Sequence, residues 1–430
     1  MIGQVIFAVL LIGAIFLFYK NARKIYRNIQ LGKPLDRTDR PAERFKTMLL
    51  VAFGQKKMFK RPIPALLHLF VYVGFVIINI EMLEIVIDGL FGSHRVFSFL
   101  GGFYDFLIYS FEILAFLVLL GCVIFAIRRN VIKVKRLNQA ELNNWPKTDA
   151  NLILTAEILL MAAFLTMNAA DFKLQSLGAE HYHAVGSFPI SQYIAQWLPE
   201  SINSLIFIER FCWWFHIVGV LAFLNYLVIS KHLHILLAFP NTYFSNLNPK
   251  GEFSNMASVT EEVKVMLDPS LPPPSGEPSR FGVKDVQDLN WKNLLDAYTC
   301  TECGRCTSAC PANITGKLLS PRKIMMDTRD RVSEVGKNID KNGSFQEDGK
   351  SLLDTYITRE EIWACTSCNA CVEQCPVNIN PLEIIIGLRQ YAVMEESQAP
   401  ASINNMLSNL ENNGAPWKYS QADRANWTNQ

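Results

Sequence analysis

Five runs of about 20 apolar residues, loops whose positive charge alternates between heavy and nearly absent, and two cysteine quartets of identical spacing predict a mainly α protein. The expected architecture is a five-transmembrane-helix bundle followed by a helical two-[4Fe-4S] ferredoxin-like domain. Residues 1–238 are expected to form the membrane domain and 239–284 a cytoplasmic linker. Residues 285–394 form the two-cluster domain, and 395–430 a polar C-terminal tail suited to docking a partner. Of 430 residues, 50% are hydrophobic and 19% charged, too apolar for one soluble domain and too charged for a purely embedded one. The 41 Lys plus Arg nearly cancel the 39 Asp plus Glu, which argues against a nucleic-acid partner, since that needs a basic surface.

The apolar runs lie near 2–19, 63–89, 104–127, 151–171 and 205–230. The first has no basic region before it and no small-residue cleavage pattern, so it reads as a retained helix rather than a secretory signal. The loop between runs one and two carries 13 Lys plus Arg and that between three and four carries 6, whereas the other two loops carry one each, Arg95 and Lys173. Positive charge stays on the cytoplasmic side. The N-terminus is therefore expected outside, and everything beyond Lys231 in the cytoplasm. Gln55 to Arg61 reads first as topogenic charge, with contact to anionic lipid headgroups as the alternative.

Ionisable side chains at membrane depth are costly and mark function. His94, His181 and His183 fall in the outer loops. His68 lies about one and a half turns inside span two, and His232 and His234 close the cytoplasmic end of span five, at similar depth because the chain directions are opposite. Two imidazoles facing each other across a bundle form an axial pair for haem b, and no Cys-x-x-Cys-His motif is present for covalent haem attachment. On one continuous helix His216 and His234, about five turns apart, share a face, while His232 points roughly 160° away. His234 is thus preferred over His232 as the partner of His68. His216 has three readings: a ligand of a second haem, with Met82 opposite; a wall of a quinone pocket or proton path with Glu81, Glu84, Glu112, Glu209 and Arg210; or, with those same residues, a set of interfacial, mutually paired side chains.

Beyond the membrane, Pro269 to Gly276 reads as a semi-stiff spacer, and Asp285 to Thr299 as a short amphipathic helix. The quartets follow: Cys300-x-x-Cys303-x-x-Cys306-x-x-x-Cys310-Pro311 and Cys365-x-x-Cys368-x-x-Cys371-x-x-x-Cys375-Pro376. In this spacing three thiolates wrap one cubane and the fourth ligates the other cluster. Cys300, Cys303, Cys306 and Cys375 are expected to hold one [4Fe-4S] cluster, and Cys365, Cys368, Cys371 and Cys310 the second, with each proline stopping a helix at the fourth ligand. Zinc needs only one quartet per ion and leaves the matched spacing unexplained. Cluster thiolates fit a reducing cytoplasm; Cys122 and Cys212 read as buried apolar thiols. Helices are expected over Pro321–Val332, Arg359–Ala364 and Asn380–Met394, with 340–349 a polar loop.

With its histidine at the inner end of span two and a same-face pair on span five, the membrane portion resembles the haem-b subunit of respiratory nitrate reductases, though span two lacks the second histidine. Residues 285–394, including Cys310-Pro-Ala-Asn-Ile-Thr-Gly-Lys317 and Trp363-Ala-Cys-Thr-Ser-Cys368, look like the small two-cluster subunit of heterodisulfide reductases. The fusion is similar to the N-terminal part of membrane iron–sulfur oxidoreductases that link electron-transfer flavoprotein to menaquinone. That resemblance implies an electron-transfer subunit in the cytoplasmic membrane, with menaquinone as substrate. Its implied partners are a separate iron–sulfur subunit with Cys-Cys-Gly motifs and electron-transfer flavoprotein or another cytoplasmic dehydrogenase. The alternatives are a membrane-anchored ferredoxin relay without quinone chemistry, and a heterodisulfide-reductase-like subunit driven by quinol.

Overall fold

The computed structural model describes residues 1–272 and 280–429. Among these the chain is helical, with no strand and only two isolated bridges, Lys33 to Asn290 and Leu353 to Ile357. It divides into two compact units: residues 1–27, 45–243 and 301–304 in the first, and 28–44, 244–300 and 305–430 in the second.

The first unit contains five helices long and apolar enough to cross a membrane: α1 (Ile2–Ile29), α2 (Pro62–Phe91), α3 (Gly102–Asn130), α4 (Trp145–Ser176) and α5 (Ile202–Tyr226). All five apolar runs are present, and the helices outlast them because polar residues at each end continue the hydrogen-bond ladder. Pro62 starts α2 at a position where no amide donor is required, and Gly92 ends it at φ +73°, its N–H returning to Asp88 O. The core is built from Ile108, Phe111 and Ala115 of α3, Phe164 of α4, and Trp213 and Ile217 of α5. Glycines let backbones approach: a Cβ on Gly74 would meet Val118 at 2.4 Å, and one on Gly219 would meet Leu160 at 2.6 Å. Phe207, Phe211 and Phe215 stack along the outer face of α5 and remain exposed, a surface suited to lipid rather than water. α1 is the least enclosed, with 6% of its apolar window buried.

Span five departs from the expected single helix. After α5 and a 3₁₀ turn, Ser230 is extended (φ −115°, ψ 152°), a second 3₁₀ turn covers 231–233, and a separate helix, α6 (His234–Tyr243), begins. Asp149 scaffolds this break, taking hydrogen bonds from Tyr226 OH (2.6 Å), Ser230 Oγ (2.6 Å) and Lys231 N (3.1 Å). The five-turn relation between His216 and His234 therefore does not hold, because the two sit on different helices.

The second unit packs α7 (Trp291–Thr299), α8 (Pro321–Asn342) and α9 (Pro381–Met394) around Leu294, Ile324, Val332, Leu352, Ile384 and Leu388. Arg331, fully buried, is held by Asp285 and by Asp348, each at 2.6 Å. Residues 28–44 belong to this unit as a strap. Lys33 N donates to Leu289 O (2.7 Å), Trp291 N to Lys33 O (3.1 Å), Trp291 Nε1 to Leu35 O (2.9 Å) and Arg44 Nη1 to Ser245 O (2.9 Å). A Cβ on Gly32 would stand 2.5 Å from Trp291 N, so only glycine lets the strap lie this close.

Several sequence boundaries shift. The 285–299 segment is a 3₁₀ turn and then α7, because the Asn290 side chain caps the Asn293 N–H and restarts the chain. α8 runs ten residues past Val332 to Asn342, where Gly343 ends it at φ +83°. The tail holds a helix, α10 (Ala401–Asn413), with no buried residue. The linker contains a further helix, Ala257–Leu267; of the expected spacer 269–276, residues 273–276 lie outside the described residues.

Candidate electron-transfer site

His68 lies on α2 and His234 opens α6, and their imidazole centroids are 6.4 Å apart. With metal–imidazole bonds of roughly 2 Å and a ring radius of about 1.2 Å, two rings on opposite sides of one metal ion have centroids about 6.4 Å apart. That separation is compatible with both imidazoles holding one haem iron between them. Each ring is also fixed through Nδ1. His68 Nδ1–H donates to Gln55 Oε1 (3.0 Å), and His234 Nδ1–H to Lys231 O (3.1 Å). A metal-binding imidazole characteristically has its other nitrogen anchored in this way, which directs Nε2 toward the metal. Gln55 is itself buried and held at φ +49° in the turn before α2.

His232 joins the same group, its ring perpendicular to that of His234 at 5.5 Å and 5.4 Å from Phe223. Burial pushes the His232 imidazole down to about 3, with His234 and His68 beside it adding to the effect, and burial also lowers His234. A neutral imidazole is the form that ligates iron. His68 and His234 have ring centroids 6.4 Å apart, and the phase argument that favoured His234 over His232 does not hold across the break at Ser230.

His216 is almost fully buried against Phe164, ring centroids 5.7 Å apart, and its Nδ1 lacks a hydrogen-bond partner among the described residues. Met82 packs against the apolar core. The acidic residues expected near His216 gather at the end of the bundle that carries the 92–101 and 177–201 connections. Glu112 accepts from Ile190 N, Ser191 N, Ser191 Oγ and Asn168 Nδ2. Glu84 accepts from Phe97 N and Tyr104 OH, and Glu209 pairs with Arg210 and Tyr182. Their hub is Arg95, which bonds Asp171 (2.6 Å), Tyr104 (3.2 Å) and Asn168 (3.0 Å). Sequence reasoning counted Arg95 only as a loop charge. Its signal was that it is the single cation of a short loop otherwise bordered by buried carboxylates.

In the second unit, Cys310 lies within electrostatic reach of Cys365 and Cys371, with Cys368 in the same group. Burial and these neighbouring thiols push Cys371 up to about 12. This grouping fits the crossed assignment, in which the fourth cysteine of one quartet completes the other. No three His, Cys, Asp or Glu among the described residues converge tightly enough for a single metal ion; a cubane spreads its thiolates over a larger body. The two quartets repeat one backbone conformation. Glu302 and Ser367, before the second cysteine, have φ +54°, and Gly304 and Asn369, after it, have φ +71° and +60°. Such turns point amide N–H groups inward, as where Ser367 N meets Cys365 Sγ (3.4 Å). Ile379 N similarly meets Cys375 Sγ (3.3 Å). Pro311 opens a helical turn, Pro311–Ile314, instead of stopping one; the extended backbone of Cys310 redirects its side chain. Arg389, unremarked in the sequence, lies over the Trp363 ring and donates to the carbonyls of Ile362 and Cys365.

These features define a multi-pass membrane iron–sulfur protein of electron transfer. Residues 299–379 match the family model described as a 4Fe-4S dicluster domain. The chain is 28% identical over 461 residues to the probable iron-sulfur-binding oxidoreductase FadF of Bacillus subtilis, covering 100% of this chain and 61% of that protein. It is 26% identical over 422 residues to the EtfAB:quinone oxidoreductase of Syntrophomonas wolfei, covering 92% of this chain and 55% of that one. It is 30% identical over 162 residues to a probable membrane-anchored ferredoxin of Chromohalobacter salexigens, covering 34% of this chain and 24% of that protein. The chain thus spans 61% and 55% of the length of the two relatives it matches throughout. No solved structure matches it.

Proposed function

We propose that this chain is the membrane electron-transfer subunit of a quinone-linked oxidoreductase, carrying electrons between a cytoplasmic partner and menaquinone. In this reading Cys300, Cys303, Cys306 and Cys375 hold one [4Fe-4S] cluster and Cys365, Cys368, Cys371 and Cys310 the other. His68 and His234 hold haem b, with His232 as a wall of the same pocket. Haem b, when bound, supplies a one-electron centre within the bundle. The chain's own part is to fix two imidazoles 6.4 Å apart and to carry the eight thiolates in two quartets. The charge asymmetry of the loops supports an outside N-terminus. The EtfAB:quinone oxidoreductase among the relatives supports a flavoprotein donor of the electron-transfer flavoprotein class; the resemblance drawn from the sequence implies a second iron–sulfur subunit with Cys-Cys-Gly motifs. A second haem at His216 is not part of this reading, because no imidazole among the described residues faces it and Met82 is occupied in packing.

The observation that carries the proposal is the 6.4 Å imidazole pair anchored through both Nδ1 atoms. Protein purified in mild detergent should show the sharp reduced α band of bis-histidine haem, shifted or re-oxidised by a menaquinone analogue. His68→Ala and His234→Ala should each lose the haem and keep the iron–sulfur absorbance. Unchanged haem content in both variants would refute the ligand assignment, and a wild-type protein without haem would reduce the chain to an iron–sulfur relay.

A further inference from the structure

At the end of the bundle away from His68, α1, α2 and α5 enclose a cavity of about 220 Å³. One wall is aromatic: Phe7 lies 5.6 Å from Trp213 and 6.3 Å from Trp214, and the two indoles are 5.1 Å apart, edge to face. The other wall is polar and includes Glu81, His94 and Arg95. Nearly all of its hydrogen-bonding capacity is spent elsewhere. The Arg95 guanidinium is committed to Asp171, Tyr104 and Asn168, and reaches Glu81 only at 4.0 Å. His94 faces Asp171 and stacks edge-on against Tyr182.

Glu81 is the deeply buried lining group with an oxygen left over. It is 2% exposed, it lines the cavity, and its Oε2 has no hydrogen-bond partner among the described residues. A buried polar atom left unsatisfied in a native fold calls for an explanation, more so inside a membrane, where ionisable groups are placed for a purpose. A cavity with flat aromatic walls and one unspent polar group is the pattern of a small-molecule site.

The geometry points to this cavity as the binding site for the ring of a quinone, with Glu81 as the group that meets its oxygen. The inference rests on the quinone-linked reading above and gives it a location. A carboxyl group suits both forms of such a ligand: protonated, it donates to a quinone carbonyl; ionised, it accepts from a quinol hydroxyl. The indoles and Phe7 supply offset and edge-on ring contacts. A cavity of about 150 Å³ encloses benzene, so 220 Å³ takes a two-ring head group and leaves its isoprenoid tail outside. The tail has a route beside α1, the least enclosed of the five helices. Glu81 follows His68 by thirteen positions on the same helix, about 20 Å along its axis, so the ring site and the histidine pair lie in opposite halves of the bundle.

The test uses the full chain in detergent or nanodiscs, a naphthoquinone with a single isoprene unit as probe, and quenching of tryptophan fluorescence to read binding. Two variants alter the cavity differently. Glu81→Leu removes the polar contact, and Gly3→Leu adds bulk at a lining position where a Cβ meets nothing within 4 Å without adding an indole to the fluorescence readout. Each should weaken binding about tenfold or more while iron–sulfur absorbance stays unchanged. If the wild type binds the naphthoquinone and both variants bind it equally well, the site is wrong and the quinone-linked reading survives. If the wild type binds no naphthoquinone at all, that reading fails and takes the site with it.

Discussion

The Ser230 hydroxyl donates to Asp149 Oδ1 at 2.6 Å, and this bond fastens the only extended residue between α5 and α6 to the start of α4. The same carboxylate takes Lys231 N, and the Lys231 carbonyl then takes His234 Nδ1–H. One aspartate on α4 thereby sets the position of an imidazole on α6.

Asp149→Ala should free the 230–233 turn and displace His234. Outer partners of a metal ligand are worth about 10–100-fold in affinity, so the purified variant should carry much less haem per iron–sulfur centre. Haem extraction alongside iron and sulfide assay measures that ratio; an unchanged ratio would show that the break is not what positions His234.

Gln55→Leu should act at the other ligand by removing the acceptor of His68 Nδ1–H. The haem should remain but bind about 10–100-fold more weakly, and its midpoint potential should move because the imidazole loses basicity. Redox titration of the α band reads the potential directly.

Cys310→Ser and Cys365→Ser should damage the same cluster although 55 positions separate them, because Cys310 lies with Cys365 and Cys371. Cys375→Ser should instead affect the cluster of the first quartet. Electron paramagnetic resonance of the reduced variants distinguishes the two signals; loss of the same signal in Cys375→Ser and Cys365→Ser would overturn the crossing.

Arg331→Met should destabilise the second unit by about 3–5 kcal/mol, since it leaves Asp285 and Asp348 without their buried partner. Thermal bleaching of iron–sulfur absorbance follows the loss. The pH dependence has a definite sign. Hydrogen bonds from Arg331 hold the Asp348 carboxyl below its ordinary value, so the stability it contributes is fully present above about pH 4 and is lost as pH falls through the lower folded value. Asp348→Asn should flatten that acid-side decline.

The membrane helices were legible because lipid imposes a length and a composition that a chain must write in consecutive residues. The cysteine quartets were legible because a cubane fixes ligand spacing along the sequence. What was not legible depended on partners far apart in the chain. The break at Ser230 follows from Asp149, eighty-one positions earlier, and nothing in Tyr226 to His234 announces it. Residues 28–44 displayed only their basic charge, and their pairing with Leu289 and Trp291 is invisible to periodicity. Arg95 looked like a stray loop cation because Asp171 and Asn168 lie a full helix away. His68 and His234 were paired from their depth alone, and the orientation argument that separated His234 from His232 assumed a straight helix that the chain does not form.

The strap at 28–44 makes the two units inseparable by scissors. A fragment beginning at residue 244 would contain every cysteine of the quartets yet expose the Trp291 indole N–H and leave the Tyr298 hydroxyl without Asn28, its donor at 2.9 Å. The cluster-bearing half expressed by its contiguous sequence alone is therefore expected to be less stable than the same half with residues 28–44 present. A soluble version would keep that stability with residues 28–44 supplied as a second chain or grafted through a new connection.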